Sequence, residues 1–224
     1  MSALGAIEAY RLWAPAYSAE TAISLLEDRL VARLTPPLSR LRLLDAGCGT
    51  GRRLRAAGAA SAVGVDISPA MIEAGAAEIP LPHMHMMLGD IRALPVPDRA
   101  FDVVWCRLAI GHVADCGSVY AELARVADRG ATVIVSDFHP DAYRAGHRRT
   151  FRHDEAIVEI EHHVHDVATH LAAAREAGLE EPVVREATVG PAVRSFYDEA
   201  GKSDLYQDHL GLPVVLALGF RRSR

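Results

Sequence analysis

A run of glycines and two acidic residues are the groups in this sequence best suited to bind a small ligand. Residues 43–52, LLDAGCGTGR, place Asp45 before three glycines at alternate positions, Gly47, Gly49 and Gly51. Glycine tolerates positive φ and allows a ligand to approach the backbone closely. Asp66 ends the next apolar run, and 66 − 47 gives 19 residues, a separation at which a carboxylate can accept hydrogen bonds from a ribose. The pattern predicts a site for an adenosine-type ligand.

The spacing of the glycines argues against a ligand bound through phosphates. The dinucleotide fingerprint requires glycine at its sixth position, which is Arg52 counted from Gly47 and Leu54 counted from Gly49. No Gly-Lys-Ser/Thr of a P-loop is present either. A carboxylate at Asp45 would repel pyrophosphate, whereas it can pair with a cationic group. The pattern therefore favours S-adenosylmethionine, and an NAD(P)-dependent oxidoreductase is the weaker alternative.

Apolar runs and helical periodicity alternate around these groups. An amphipathic helix is predicted over 18–34, followed by strands alternating with helices, which is typical of βαβ units with a parallel sheet. Ser68 and Pro69 suit the N-cap and first position of a helix after the second strand. A polar, histidine-rich segment follows to about residue 163, and a helix over 166–177 should end at Gly178. Strands are expected at 41–46, 62–66, 84–88, 101–106, 131–137, 182–189 and 214–220.

The motifs on these elements resemble those of class I, Rossmann-like S-adenosylmethionine-dependent methyltransferases. The runs DAGCGTG (45–51) and GVDISPAM (64–71) are similar to the first two motifs of that family. Residues 88–91 with 94–95, residues 101–104, and residues 122–126 with Gly130 are similar to the motifs that follow. The run YRLWAPAY (10–17) is similar to the N-terminal cap of the branch that includes quinone-biosynthesis methyltransferases. The similarity extends over residues 41–137.

The resemblance implies an α/β, doubly wound fold. Its mostly parallel seven-stranded sheet would have the order 3-2-1-4-5-7-6, with an antiparallel last strand, helices on both faces and an N-terminal helical cap. Residues 1–224 are expected to form one methyltransferase domain, with a cap at 1–36, a cofactor-binding half at 41–137 and an acceptor-side half at 138–224. The cofactor would be S-adenosylmethionine and the product S-adenosylhomocysteine.

The same resemblance assigns roles to individual residues. It places the backbone of Gly47 and Gly49 beside the methionine part of the cofactor and Asp66 at the ribose. Ile67 and Met71 would lie near the adenine, Asp90 and Ile91 at its edge, and Leu108 beside the methionine part. Asp45 and Gly51 in the glycine turn and Tyr17 in the cap are further expected cofactor-site residues. The alternative for any single aspartate is that it ends a strand in a turn.

Two histidines are candidates for a catalytic base. His112 and His139 follow the predicted fourth and fifth strands, on the side of the sheet where ligands bind in this fold. Imidazole titrates near neutral pH and can remove a proton from a hydroxyl or amine acceptor. The alternative for His112 is that it packs or hydrogen-bonds to hold its loop. Seven of the eleven histidines fall between His139 and His170, and although His163, His165 and Asp166 have metal-ligand chemistry, no metal is expected.

Composition narrows the class of partner. The chain has 224 residues and a formal net charge of −5, and a protein that grips nucleic acid usually carries a basic excess. Its short arginine clusters, at 52–55, 148–152 and 221–224, are interpreted as solvated faces. The start of the chain lacks a leader pattern, and no apolar run approaches the ~20 residues of a membrane span. We therefore expect a cytoplasmic protein, a monomer or homodimer, that binds no nucleic acid.

The methyl acceptor is expected to be a small or medium-sized molecule with an oxygen, nitrogen or activated carbon nucleophile. DNA amino-methylation would need an Asn/Asp-Pro-Pro-aromatic run after the fourth strand, where WCRL (105–108) stands instead. A Pro-Cys nucleophile for cytosine chemistry is also lacking. Two alternatives remain outside methyl transfer: a catalytically silent scaffold that binds S-adenosylmethionine, and the less favoured oxidoreductase.

Overall fold

The computed structural model describes residues 3–17, 19–78 and 81–223. In these ranges the elements follow one another in chain order: α1 (Ala6–Trp13), α2 (Ala22–Leu34), β1 (Arg42–Ala46), α3 (Arg52–Ala56), β2 (Ser61–Asp66), α4 (Pro69–Ala76), β3 (Met84–Leu88), β4 (Phe101–Arg107), α5 (Cys116–Val126), β5 (Ala127–Phe138), α6 (Pro140–Arg144), β6 (Thr150–His153), β7 (Ala156–Glu159), α7 (Val167–Glu176), β8 (Leu179–Thr188), α8 (Arg194–Glu199), α9 (Ser203–His209) and β9 (Pro213–Arg222).

The central sheet has the strand order β3-β2-β1-β4-β5-β9-β8. Strands β1 to β5 pair in parallel, and β9 runs antiparallel to both β5 and β8. Since β8 and β9 are the sixth and seventh strands of this sheet along the chain, the predicted order 3-2-1-4-5-7-6 with an antiparallel last strand is confirmed. Central strands such as β1 are apolar because helices cover both faces of the sheet, and Leu43 and Leu44 are fully buried there.

Local signals account for most element boundaries. Ser68 caps α4 by accepting the Met71 backbone N–H, and Gly178, at φ +74°, follows α7. The first predicted helix begins later than expected, at Ala22, because Thr21 and Ser24 form a reciprocal capping box at its start. Ser18, the start of that prediction, lies outside the described residues. None of the helices among the described residues has the length and apolar character of a transmembrane segment.

The histidine-rich segment after β5 holds an element that the sequence pattern did not predict. Strands β6 and β7 pair antiparallel as a separate hairpin. This hairpin packs on the N-terminal cap, where Phe151 stacks on Trp13 with ring centroids 5.1 Å apart. The backbone of Leu4 also exchanges hydrogen bonds with Glu159 and Glu161, at 2.9 and 2.7 Å. The cap and the hairpin therefore form a joint cover near the carboxyl ends of β1 and β4.

Candidate active site

The glycine turn brings the loops after β1 and β4 into close contact. Gly47 has φ +85°, and a Cβ atom there would lie 2.4 Å from the Cβ of Ala109. Gly49 has φ +56°, and a Cβ there would meet the ring of Tyr17 at 3.3 Å. Only a residue without a side chain allows both this backbone conformation and this approach. Gly51 is different: its missing Cβ leaves space for Met84 and Met86 below α3, so it supports the turn from behind.

Asp66, at the end of β2, is tied to the glycine turn. Its carboxylate accepts the backbone N–H of Gly49 at 2.7 Å and that of Ser68 at 2.9 Å. Burial raises the pKa of Asp66, while the hydrogen bonds from these backbone groups oppose the rise. The carboxylate is therefore fixed in position beside Gly49, where the sequence predicted it to meet a ribose.

One cavity of about 470 Å³ lies over these loops. This size falls within the ~300–1,000 Å³ usual for small-molecule sites. Most residues predicted for the cofactor and one candidate base line it: Tyr17, Gly47, Gly49, Asp66, Ile67, Met71, Asp90, Ile91, Leu108 and His112. Asp45, Gly51 and His139 do not line it. We call this space the first cavity.

Asp45 lies directly beneath the first cavity without opening to it. Its side chain is 1% exposed, and among the described residues its Oδ1 has no hydrogen-bond partner. Burial raises the pKa of Asp45 to about 6, and the nearby Arg107 and Arg53 oppose that rise. A buried carboxylate oxygen without a partner is costly. The position therefore suits a cationic group arriving at the glycine turn, as the ammonium of a methionine moiety would.

Asp90 and Ile91 form the far end of the first cavity. The Asp90 carboxylate accepts the backbone N–H of Arg92 at 2.8 Å and also pairs with the Arg92 guanidinium at 2.5 Å. These hydrogen bonds hold the pKa of Asp90 below its usual range. Asp90 is thus an ionised acceptor, suited to an exocyclic amino group such as that of adenine. Arg92, which also lines the cavity, already uses part of the hydrogen-bonding capacity of the Asp90 carboxylate.

Leu108 is held in a strained backbone conformation where the first cavity meets β4. Its φ is +54°, a region that residues with a Cβ rarely adopt and that clusters at functional sites. Ser136 fixes it, because the Leu108 N–H donates to both the carbonyl and the Oγ of Ser136, at 3.0 and 3.1 Å. The hydroxyl of Ser136 in turn donates to the fully buried Glu27 at 2.6 Å, and Glu27 pairs with Arg107. A buried charge network below the sheet thus supports the loop.

The comparisons with known proteins agree with this geometry. A family model described as a methyltransferase domain matches residues 44–135. The 27-O-demethylrifamycin SV methyltransferase of Amycolatopsis mediterranei (strain S699) is 32% identical over 173 residues, 72% of this chain and 61% of that protein. The demethylmenaquinone methyltransferase of Roseiflexus sp. (strain RS-1) is 37% identical over 125 residues, 52% of each chain. The chain thus spans less than two thirds of the length of either relative.

A solved structure gives the same result for the fold. An S-adenosylmethionine-dependent methyltransferase from Mesorhizobium loti superimposes with a TM-score of 0.70 at 22% identity, covering 88% of this chain and 98% of that one. The chain thus has the fold of this S-adenosylmethionine-dependent methyltransferase, and residues 44–135 are similar to a methyltransferase domain. The matched segment, 44–135, contains the glycine turn, Asp66 and Asp90, which the sequence patterns also single out.

His112 lines the first cavity, but its imidazole is already engaged. Nδ1 lies 3.1 Å from the carbonyl of Glu161 and therefore donates, which leaves Nε2 as the acceptor. Nε2 lies 2.9 Å from the Tyr10 hydroxyl and 3.0 Å from the Arg149 guanidinium. Burial and the adjacent Arg149 lower the pKa of His112 to about 3. This geometry is that of a neutral imidazole that holds two neighbours in place.

His139 is buried away from the first cavity. It is the N-cap of α6, where Nδ1 accepts the Asp141 backbone N–H at 3.1 Å, and Nε2 lies 3.2 Å from Glu186. Other histidines pack on the loop after β4: a Cβ at Gly111 would collide with the ring of His162, and His165 donates to the carbonyl of Val113. Among the described residues, no group of three or more possible ligands is placed to hold a metal ion.

A second cavity of about 280 Å³ adjoins the first. Tyr10, Tyr17 and Leu108 line both cavities and form the wall between them. The other walls come from the cap, from the start of α3, from the end of β5 and from the segment before β6. They include Trp13, Phe138 and four arginines, Arg52, Arg53, Arg148 and Arg149. The interpretation of these arginines as solvated faces is wrong for Arg53 and Arg149, whose side chains are only 14% and 12% exposed. No local sequence pattern predicts this second cavity, because only the fold brings the two arginine clusters together.

Proposed function

We propose that the protein transfers a methyl group from S-adenosylmethionine to a small or medium-sized acceptor. The observation that carries this proposal is that the glycine turn, Asp66 and Asp90 follow three different strands and yet line one cavity. The two curated relatives, named as a 27-O-demethylrifamycin SV methyltransferase and a demethylmenaquinone methyltransferase, support it. In this proposal the cap at 1–36, the cofactor-binding half at 41–137 and the acceptor-side half at 138–224 act together as one domain.

The residues of the first cavity fit the chemistry of the cofactor. When bound, S-adenosylmethionine supplies a methyl carbon activated by a sulfonium. Asp66 accepts hydrogen bonds from the ribose hydroxyls, and Asp90 accepts one from the adenine amino group. Ile67 and Met71 provide apolar contacts for the adenine ring, and both line the cavity. Asp45 does not line the cavity, so it would favour the ammonium of the methionine moiety through its nearby negative charge and not by direct contact.

The second cavity is proposed to hold the acceptor. Methyl transfer is an in-line displacement, so the nucleophile and the sulfonium must face each other across a short gap. Tyr10, Tyr17 and Leu108 stand where the two cavities meet and would define this gap. The cap and the β6–β7 hairpin cover it and exclude water, which protects the reacting groups.

His112 is proposed to act mainly through its neighbours. Its Nε2 accepts hydrogen bonds from Tyr10 and Arg149, so the imidazole orients one residue of the shared wall and one of the second cavity. With a pKa lowered to about 3, it is a weak base at neutral pH. The direct removal of a proton by His112 or His139 stays a prediction, and the geometry favours the positioning role for His112.

Titration calorimetry with S-adenosylhomocysteine tests the cofactor, with NAD as the control ligand. We expect micromolar binding of S-adenosylhomocysteine, worth about 8 kcal/mol, and no binding of NAD. Incubation with S-adenosylmethionine carrying a labelled methyl group then tests turnover on a panel of hydroxyl, amine and quinone acceptors. Binding of NAD alone would support an oxidoreductase, whereas binding of S-adenosylhomocysteine without transfer to any acceptor would support a silent scaffold.

A further inference from the structure

Arginines from two distant parts of the chain meet at the second cavity. Arg52 and Arg53 begin α3, directly after the glycine turn, and Arg148 and Arg149 directly precede β6. Among the described residues, no aspartate or glutamate lines this cavity. Carboxylates outside the cavity offset part of this positive charge, but the lining itself presents only positive charge to a ligand. An anion is therefore the ligand that this lining favours.

The pairing of the four arginines shows which of them have capacity to bind. Arg53 pairs with the buried Glu27 at 3.0 Å, and Arg149 lies 3.5 Å from the buried Asp137 and donates to the carbonyl of Leu108. These two are parts of the scaffold. Within the part of the chain that the structure describes, Arg52 and Arg148 have only long contacts to carboxylates, although the Arg148 guanidinium also lies over the Tyr143 ring, 4.1 Å from its centroid.

The carboxylate contacts of the outer pair are long. Arg52 lies 3.8 Å from Asp28 and Arg148 lies 3.9 Å from Glu159, in both cases beyond good hydrogen-bond distance. One guanidinium nitrogen of Arg148 donates to the carbonyls of Tyr143 and His147. Their side chains are 40% and 38% exposed, so both can reach a ligand that enters from solvent. Arg52 and Arg148 therefore retain donors for a further oxygen anion.

The remaining walls of the second cavity are aromatic. Trp13 lies parallel to Tyr10, with ring centroids 5.8 Å apart, and Tyr17 meets Trp13 edge to face at 5.0 Å. Phe138 closes another side. Trp13 is already stacked on both Tyr10 and Phe151, so these walls would meet a ligand mainly through ring edges. They favour a flat, apolar body, because edge-to-face contact adds to the burial of area.

We propose that the second cavity binds a planar ring through a carboxylate or phosphate substituent, which pairs with Arg52 and Arg148. This inference rests on the proposed function, since it gives the acceptor its chemical class: an aromatic or quinoid anion. The anionic group lies at the outer arginines and the ring lies against Tyr10 and Trp13. The nucleophile of the ring then points to the wall that the two cavities share.

Matched ring probes test the proposal on the full chain. We suggest 2-naphthoate, 2-naphthyl phosphate and the neutral 2-naphthamide, titrated calorimetrically with and without saturating S-adenosylhomocysteine. We expect at least one anion to bind roughly tenfold more tightly than the amide, as one charge-assisted pair predicts. The carboxylate and phosphate arms show which anion the arginines accept.

Two variants locate the effect. In the double variant Arg52→Gln/Arg148→Gln, the anion and the amide should bind with nearly equal affinity. The affinity of this variant for S-adenosylhomocysteine should stay within about threefold of that of the natural protein. Arg152→Gln is the matched control, because Arg152 is exposed on the neighbouring hairpin and does not line the cavity. It should retain the full preference.

Three outcomes would overturn the proposal. The first is equal binding of the amide and the anions, and the second is no binding of either anion. The third is a loss of S-adenosylhomocysteine affinity in the double variant, because that result would assign these arginines to the carboxylate of the cofactor itself. If the protein prefers the anions but does not bind S-adenosylhomocysteine, the proposed function is wrong and the anion site is retained.

Discussion

The two cavities share a wall and differ in charge. The first is lined by three carboxylates, Glu8, Asp66 and Asp90, together with two arginines. The second is lined by four arginines and, among the described residues, by no carboxylate. A cofactor with a sulfonium and an ammonium suits the first lining, and an anionic acceptor suits the second. The difference implies that the positive charges of the cofactor and the negative charge of the acceptor bind on opposite sides of the gap across which the methyl group is transferred.

The largest effect is expected from removing the acid of the first cavity. Asp66→Ala deletes the acceptor of the ribose and also frees the Gly49 N–H, so we expect the affinity for S-adenosylhomocysteine to fall roughly 100-fold or more. Asp66→Asn keeps one side-chain oxygen, so its loss of affinity for S-adenosylhomocysteine should be smaller. Calorimetry gives the affinities, and thermal unfolding shows whether each variant is folded. A folded Asp66→Ala protein with unchanged affinity would remove Asp66 from the site.

Gly47→Ala should unfold the turn that forms the first cavity. The new methyl group would lie 2.4 Å from the Ala109 Cβ at a φ of +85°, so we expect the free energy of unfolding to fall by about 2–4 kcal/mol. Gly58→Ala is the control: Gly58 has φ +64° but no atom within 4 Å of its Cβ position. Chemical denaturation of both separates the collision from the backbone strain. Equal losses would show that the close approach of the two loops is unimportant.

Asp45→Asn should stabilise the protein while weakening the cofactor site. Burial raises the Asp45 pKa to about 6 from its usual 3.8, so the folded state retains a proton that the unfolded state has lost. Stability should therefore fall as pH rises from about 4 to 6, and Asp45→Asn should regain about 1–3 kcal/mol at pH 7. Denaturation at pH 4 and pH 7 measures this. A variant that is less stable than the natural protein at pH 7 would contradict the account of Asp45.

The smallest effect concerns the ionisation of His112. Its pKa is lowered to about 3, so the imidazole should stay neutral from pH 5 to 8 and add no step to the pH dependence of methyl transfer in that range. Its contribution to stability is complete above about pH 6.5 and is lost as pH falls towards 3. A histidine titration by NMR, assigned with His112→Gln, reports the value directly. A measured pKa near 6 or 7 would restore His112 as a candidate base.

The kinetics of His112→Ala test whether this histidine acts by positioning its neighbours. We expect slower methyl transfer and nearly unchanged affinity for S-adenosylhomocysteine, because His112 positions Tyr10 and Arg149 at the second cavity. Tyr10→Phe removes the hydroxyl that His112 accepts and leaves the ring. If the histidine acts by positioning, this variant should show part of the same loss. Full activity of both variants would show that His112 contributes only to packing.

The first cavity could be predicted well from the sequence, and the second could not. Gly47 and Gly49 line the first cavity because the turn follows a buried strand, and Asp66 joins them because neighbouring parallel strands end at the same edge. These relations are local in sequence or follow from the periodicity of the sheet. The strand order follows from the resemblance to a known fold.

The second cavity depends on contacts that no local pattern encodes. Arg52 and Arg148 lie 96 positions apart, counted as 148 − 52, at the start of α3 and just before β6, and only the tertiary fold brings them to one cavity. His139 illustrates the same limit, because its position after β5 suggested a base, yet its side chain turns to cap α6. Asp45 and Gly51 belong to the predicted motif, but one lies beneath the cavity and the other packs on Met84 and Met86.

A crystal structure with S-adenosylhomocysteine and 2-naphthoate tests the central claim most directly. The account predicts the cofactor product in the first cavity, with its ribose on Asp66 and its sulfur facing the wall of Tyr10, Tyr17 and Leu108, and the carboxylate of the probe at Arg52 and Arg148. S-adenosylhomocysteine in the second cavity, or a sulfur that faces away from that wall, would contradict it.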